Sequence, residues 1–146
     1  MELGIYNAAM LRLAAEATGA GRLSERHGSA EILNPTCGDR ITVDVRLAQD
    51  RIVALGYEVH ACVLTQASAS LVGRHAAGRS ALEIREVAEQ IEAMLRVGSA
   101  LPAGAWADYA VFAPVRAHKS RHECVMLPLR ALLAALAAAG APDRGS

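Results

Sequence analysis

Aromatic side chains are scarce in this chain. Phe, Trp and Tyr make up 3% of its 146 residues, although hydrophobic residues reach 53%. Much of that apolar fraction is alanine, so the helices are expected to pack closely through thin side chains. Apolar content this high excludes intrinsic disorder for most of the chain. Net charge is missing too: fifteen basic and fifteen acidic residues balance to zero. There is accordingly no overall field to draw the protein toward nucleic acid or an anionic membrane. No apolar run reaches the length of a membrane span, since Pro128 and Arg130 interrupt the alanine- and leucine-rich stretch 127–139. No apolar signal segment with a cleavage site is visible near Met1. The expected location is cytoplasmic, with protein partners and neither nucleic acid nor membrane. Cysteines number three, Cys37, Cys62 and Cys124, with no C-x-x-C pair. An odd, widely spread set makes no disulfide framework.

The length suits one domain over 1–146, with a frayed tail from about residue 140. Residues 5–17 read as a helix with Ile5, Ala9, Leu13 and Ala17 on one stripe, and 18–31 as a polar loop. Ile41, Val43, Val45 and Leu47 alternate with polar residues. After a turn at Ala48-Gln49-Asp50, Val53, Leu55, Tyr57 and Val59 do the same, which predicts a hairpin. Thr65 is a candidate cap for a helix ending near Gly78. Ser80 and Glu83 have capping-box spacing and open a helix to about Val97, with Ile84, Val87, Ile91 and Leu95 inward. Residues 98–107 read as a loop and 109–112 as a short strand or bent connection. A last helix is predicted from a cap at Ser120, placing Glu123 at its third position, with Pro128 kinking or resetting it. Leu129, Leu132, Leu133 and Leu136 would bury it. The run RAHKSRH over 116–122 is a local basic patch.

Each cysteine falls where backbone can expose it. Cys37 lies on the turn of NPTCGDRI, Cys62 at a strand-to-helix junction, and Cys124 on the first turn of a helix. Helix N-terminal amides favour thiolate at the last two. Three thiolates with one further donor suit tetrahedral zinc, and an iron–sulfur cluster prefers the same ligands. Asp39 is the best local fourth ligand, with His60, His118 and His122 as competitors. Spacing alone weighs this shared site evenly against three unrelated buried cysteines.

Taken together, three stretches resemble the U-type iron–sulfur cluster assembly proteins, the IscU, SufU and NifU N-terminal family. NPTCGDRI is similar to that family's N-P-x-C-G-D signature. CVLTQASAS, from Cys62 to Ser70, is similar to C-x-I-S-x-A-S-A-S, and RHECVML, from Arg121, is similar to R-x-x-C-x-x-L. The resemblance implies an α+β fold, a small antiparallel sheet packed against several helices. It implies metal ligation by Cys37, Asp39, Cys62 and Cys124, and partnership with a cysteine desulfurase and a downstream iron–sulfur assembly protein.

Two details are closer to the SufU-like branch, in which these ligands hold zinc. Cys62 and Cys124 stand 62 positions apart, and Glu123 occupies the place of the histidine that precedes the last cysteine in IscU-like proteins. Arg121 matches an arginine of SufU-like members. The expected activity is then a zinc-dependent sulfurtransferase with Cys37 as sulfur acceptor and Arg121 steering the anionic persulfide. A scaffold for a transient [2Fe-2S] cluster and a structural or regulatory zinc module are the alternatives. The chain departs from the family at Val59-His60-Ala61-Cys62, where G-x-G-C is common, and at ATGAGRL, which replaces the usual end of the first helix. Leu129 replaces an aromatic residue of the last helix.

Overall fold

The structure is a computed structural model that describes residues 5–35 and 38–142. Its order is α1 (Ala8–Glu16), β1 (Gly28–Asn34), β2 (Asp39–Ala48), β3 (Arg51–His60), α2 (Val63–His75) and α3 (Ala81–Val97). Two 3₁₀ stretches follow, Gly104–Ala117 and Lys119–Arg121, and then α4 (His122–Ala138). The strands form one antiparallel sheet in the order β1-β2-β3. Helix α4 lies on β1 and β2, α2 and α3 pack on α4, and α1 packs on α2. This is the expected α+β fold.

The hairpin of β2 and β3 turns at Gln49 and Asp50, both with positive φ (54° and 62°). That is the conformation which matches strand twist in a two-residue turn. The inward phase of β3 differs from expectation. Ile52 is buried and Val53 exposed, because the register shifts between Arg46 and Leu47 and leaves Val53 as an extra residue. A one-residue bulge exchanges the faces of a strand on either side of it.

β1 corrects the reading of 18–31 as loop, because Gly28–Asn34 pairs with β2 along its whole length. GSAEILN has a single β-branched residue, and its opening glycine reads as a loop residue. That glycine answers to packing: a Cβ on Gly28 would come within 2.2 Å of the Ala135 carbonyl oxygen of α4. In α1, Met10 and Leu13 rather than Ala9 and Leu13 face inward, and the Asn7 side chain accepts from the Met10 N–H at the cap.

The region 104–117 is neither strand nor irregular loop. Trp106, Tyr109, Phe112 and Val115 are buried at intervals of three, the repeat of a 3₁₀ helix, so one stripe carries most of the chain's few rings into the core. α3 starts on the expected capping box of Ser80 and Glu83. α4 does not start at Ser120, which lies within the short 3₁₀ turn, and Glu123 is its second residue. It runs through Pro128 as one helix. At its end the Gly140 N–H donates to Ala137 and the Ala141 N–H to Leu136, a Schellman closure. Residues 143–146 of the expected tail lie outside the described residues. Among the described residues, no helix is long and apolar enough to cross a membrane.

Asp44 fastens the 21–29 segment to the sheet. Its fully buried carboxylate accepts from Arg22 Nε (2.7 Å) and Nη2 (3.0 Å), the Leu23 N–H (3.0 Å), Arg26 Nη1 (3.3 Å) and the Ser29 hydroxyl (2.7 Å). Burial pushes its pKa up, but the bonds from Arg22, Ser29 and Leu23 outweigh it and hold the value down at about 2. A carboxylate depressed on folding stabilises above its unfolded value, near pH 4, and loses that contribution as pH falls toward the folded one. Asp44→Ala is expected to cost about 2–4 kcal/mol at pH 7. Chemical denaturation at a series of pH values should show the difference from wild type shrinking between about pH 4 and pH 2.

Candidate metal centre

The sheet end that carries Asp39 also carries the end of β3, because Arg40 pairs with His60. Two residues beyond His60, Cys62 is the N-cap of α2. Cys124 sits in the first turn of α4, which comes from the far end of the chain. The carboxylate of Asp39 and the sulfurs of Cys62 and Cys124 all lie within 4.8 Å of one another. Asp39 and Cys124 are buried and Cys62 half-buried. The remaining expected ligand, Cys37, which is also the expected sulfur acceptor, lies outside the described residues. Before it, Asn34 pairs with Asp39 across the β1–β2 hairpin, and its carbonyl accepts the Gly38 N–H at 2.8 Å.

Hydrogen bonds hold this corner. The Cys62 N–H donates to Asp39 Oδ1 at 3.2 Å. Thr65 is not the helix cap expected of it but sits one turn in, fully buried. Its Oγ1 lies 3.3 Å from Asp39 Oδ2, 3.7 Å from the Cys62 sulfur and 2.8 Å from the Cys124 carbonyl oxygen. Three residues on, the Ser68 hydroxyl donates to the Val125 carbonyl at 2.7 Å and lies 2.7 Å from the Tyr109 hydroxyl.

The sulfurs share a proton unequally. A hydrogen bond from Cys124, together with the Thr65 N–H and Arg121, pulls the Cys62 thiol down to about 6 against the effect of burial. Cys124 moves the opposite way, because the bond to Cys62 and burial both keep its proton on. Burial works against the charge on Arg121, but hydrogen bonds with Cys124, Tyr6 and Cys62 outweigh it and hold the guanidinium charged. Arg121 Nη2 also meets the Tyr6 hydroxyl at 3.1 Å, and its guanidinium stands 5.9 Å from the centre of that ring.

The histidine competitors are placed otherwise. Among the described residues the donor group contains none of them. His60 is exposed near Glu58, and His122 meets the Arg116 carbonyl at 3.0 Å. Residue-by-residue reading missed Thr65 and Tyr6. Thr65 had a usable signal, lying three residues after a cysteine that caps a helix. Tyr6 had none, standing 115 positions from the arginine it touches.

The geometry defines a small α+β domain with a thiolate and carboxylate donor set where sheet and two helix starts converge. The model of the NifU-like N terminal domain family matches residues 5–125, and the chain belongs to that family. It is 28% identical over 132 residues to the iron–sulfur cluster assembly scaffold protein IscU of Thermotoga maritima, covering 90% of this chain and 92% of that one. The N-terminal part of a nitrogen-fixing NifU-like protein from Brucella abortus superposes with a TM-score of 0.88. The two are 31% identical over 94% of this chain and 95% of that one. A putative iron–sulfur cluster assembly scaffold for the SUF system, from Fervidobacterium islandicum AW-1, gives 0.82 at 26% identity, covering 90% and 96%.

In metal-free protein, alkylation of Cys62 is expected to rise with pH through a midpoint near 6 and to slow below it, while Cys124 stays protected. Arg121→Met should move the Cys62 midpoint upward. Peptide mapping after timed iodoacetamide treatment across pH reads both effects.

Proposed function

We propose that this chain is an iron–sulfur cluster assembly protein that accepts sulfur from a cysteine desulfurase, with zinc held by Cys37, Asp39, Cys62 and Cys124. The observation that carries the reading is the approach of Asp39, Cys62 and Cys124 within 4.8 Å, beside Arg121. The set fits the ion: tetrahedral zinc with bonds near 2.3 Å wants sulfurs about 3.8 Å apart, within small side-chain adjustments of this spacing. Bound there, zinc would keep the thiolates deprotonated at neutral pH.

Transfer needs a thiolate, a persulfide and a charge to bring them together. The Cys37 thiolate attacks the terminal sulfur of the donor persulfide. A new S–S bond forms on Cys37, the donor's own S–S bond breaks, and the donor leaves as a thiolate. Cys37 is the choice because the residues around it, Asn34-Pro35 and Gly38-Asp39, are turn-forming in sequence, and turn segments move without unfolding a strand or helix. Arg121 supplies a fixed positive charge beside the sulfurs, and Tyr6 holds it there. Asp39 puts a harder oxygen donor in the place of a fourth thiolate.

A second reading is favoured by the Thermotoga relative, which is named a scaffold. In it the same four residues assemble a [2Fe-2S] cluster as cargo to be passed on. Protein purified without oxygen, analysed for metal and intact mass before and after incubation with a cysteine desulfurase and cysteine, separates the two. Transfer requires about one zinc per chain and a mass gain of about 32 Da that Cys37→Ser loses. No gain with any desulfurase tested would sink the transfer reading, and cluster absorption after anaerobic reconstitution would favour the scaffold.

A further inference from the structure

Pro128 stands four residues after Cys124 inside α4. A proline there has no N–H for the carbonyl of residue 124, and its ring pushes that carbonyl off the helix axis. A buried carbonyl left in this way needs another donor. The Thr65 hydroxyl supplies it at 2.8 Å, from the helix that begins at Cys62.

A threonine hydroxyl has one proton to give. Given to the Cys124 carbonyl, it is not given to Asp39 Oδ2 at 3.3 Å or to the Cys62 sulfur at 3.7 Å. Both ligand atoms then keep their lone pairs for metal. From this we infer that Thr65 and Pro128 act together as a positioning device for the metal centre. Thr65 ties the backbone of Cys124 to the helix that begins at Cys62, and Pro128 decides which way the hydroxyl proton points. The pair deepens the proposed function and rests on Asp39, Cys62 and Cys124 being ligands. Neither residue touches the metal.

Cobalt(II) alone, titrated without oxygen into metal-free full-length protein, reads affinity and the thiolate-to-cobalt absorption without any sulfur transfer. Thr65→Val keeps the shape and removes the donor. It is expected to weaken cobalt binding by about tenfold or more and to change the absorption band, the scale on which outer hydrogen-bond partners act. Thr65→Ser restores the hydroxyl and should recover binding to within about threefold of wild type. Pro128→Ala returns an N–H to the helix and frees the Thr65 proton for the ligands. It should fall between the other two while remaining folded by near-ultraviolet circular dichroism, so the test survives if Thr65→Val does not fold.

Wild-type affinity and absorption in Thr65→Val would overturn the inference. Equal weakening in Thr65→Ser and Thr65→Val would overturn it too, since packing alone would then explain both. An unchanged Pro128→Ala removes the proline from the device. Failure of the wild-type protein itself to bind cobalt through thiolates strikes the ligand set, a result distinct from all of these.

Discussion

Where α2 meets α4, two hydroxyls of one helix donate into two consecutive carbonyls of the other, Thr65 to Cys124 and Ser68 to Val125. The remainder of the structure depends on this seam. Small residues make it possible, because Ala67, Ser68 and Ala69 are buried and add little bulk between the backbones. Direct bonds from side chain to main chain fix rotation and distance at once, which apolar contact alone does less well. The seam therefore sets the separation between the start of α2, with Cys62, and the start of α4, with Cys124.

The sheet adds the third donor by the same economy of parts. Antiparallel pairing puts the beginning of β2 beside the end of β3, so Asp39 faces the residue that opens α2, and the Cys62 N–H bonds to it directly. Electrostatics then follows from crowding. Two sulfurs that close cannot both ionise cheaply in a buried corner, so the proton rests on Cys124 and the charge on Cys62. Arg121 compensates part of that charge from a position set by Tyr6, which reaches the site from the opposite end of the chain.

Scarcity of rings has a structural counterpart. Trp106, Tyr109 and Phe112 are concentrated on the 3₁₀ stripe, and the Tyr109 hydroxyl lies against Ser68 at the seam. Chemistry at the sheet end thus rests on a layer of thin helices backed by one aromatic strip. Asp44 does a separate task, pinning the segment after α1 across the sheet with no part in the donor set.

Much of the fold and of the site is legible in the residues themselves. Alternation gave the hairpin of β2 and β3, Ser80 and Glu83 gave the start of α3, and three cysteine-bearing stretches gave the family and the ligand candidates. These are local patterns, written within a few neighbouring residues by the periods of strand and helix. Other features could not be read that way. Gly28 is glycine because α4 crosses it, Val53 faces outward because a bulge intervenes, and Thr65 spends its proton on a carbonyl that a proline 63 positions away has freed. Residue types and their order decided which groups were available for a metal. Only tertiary packing decided which of them meet, since that depends on hydrogen bonds and close approaches between segments far apart in the chain.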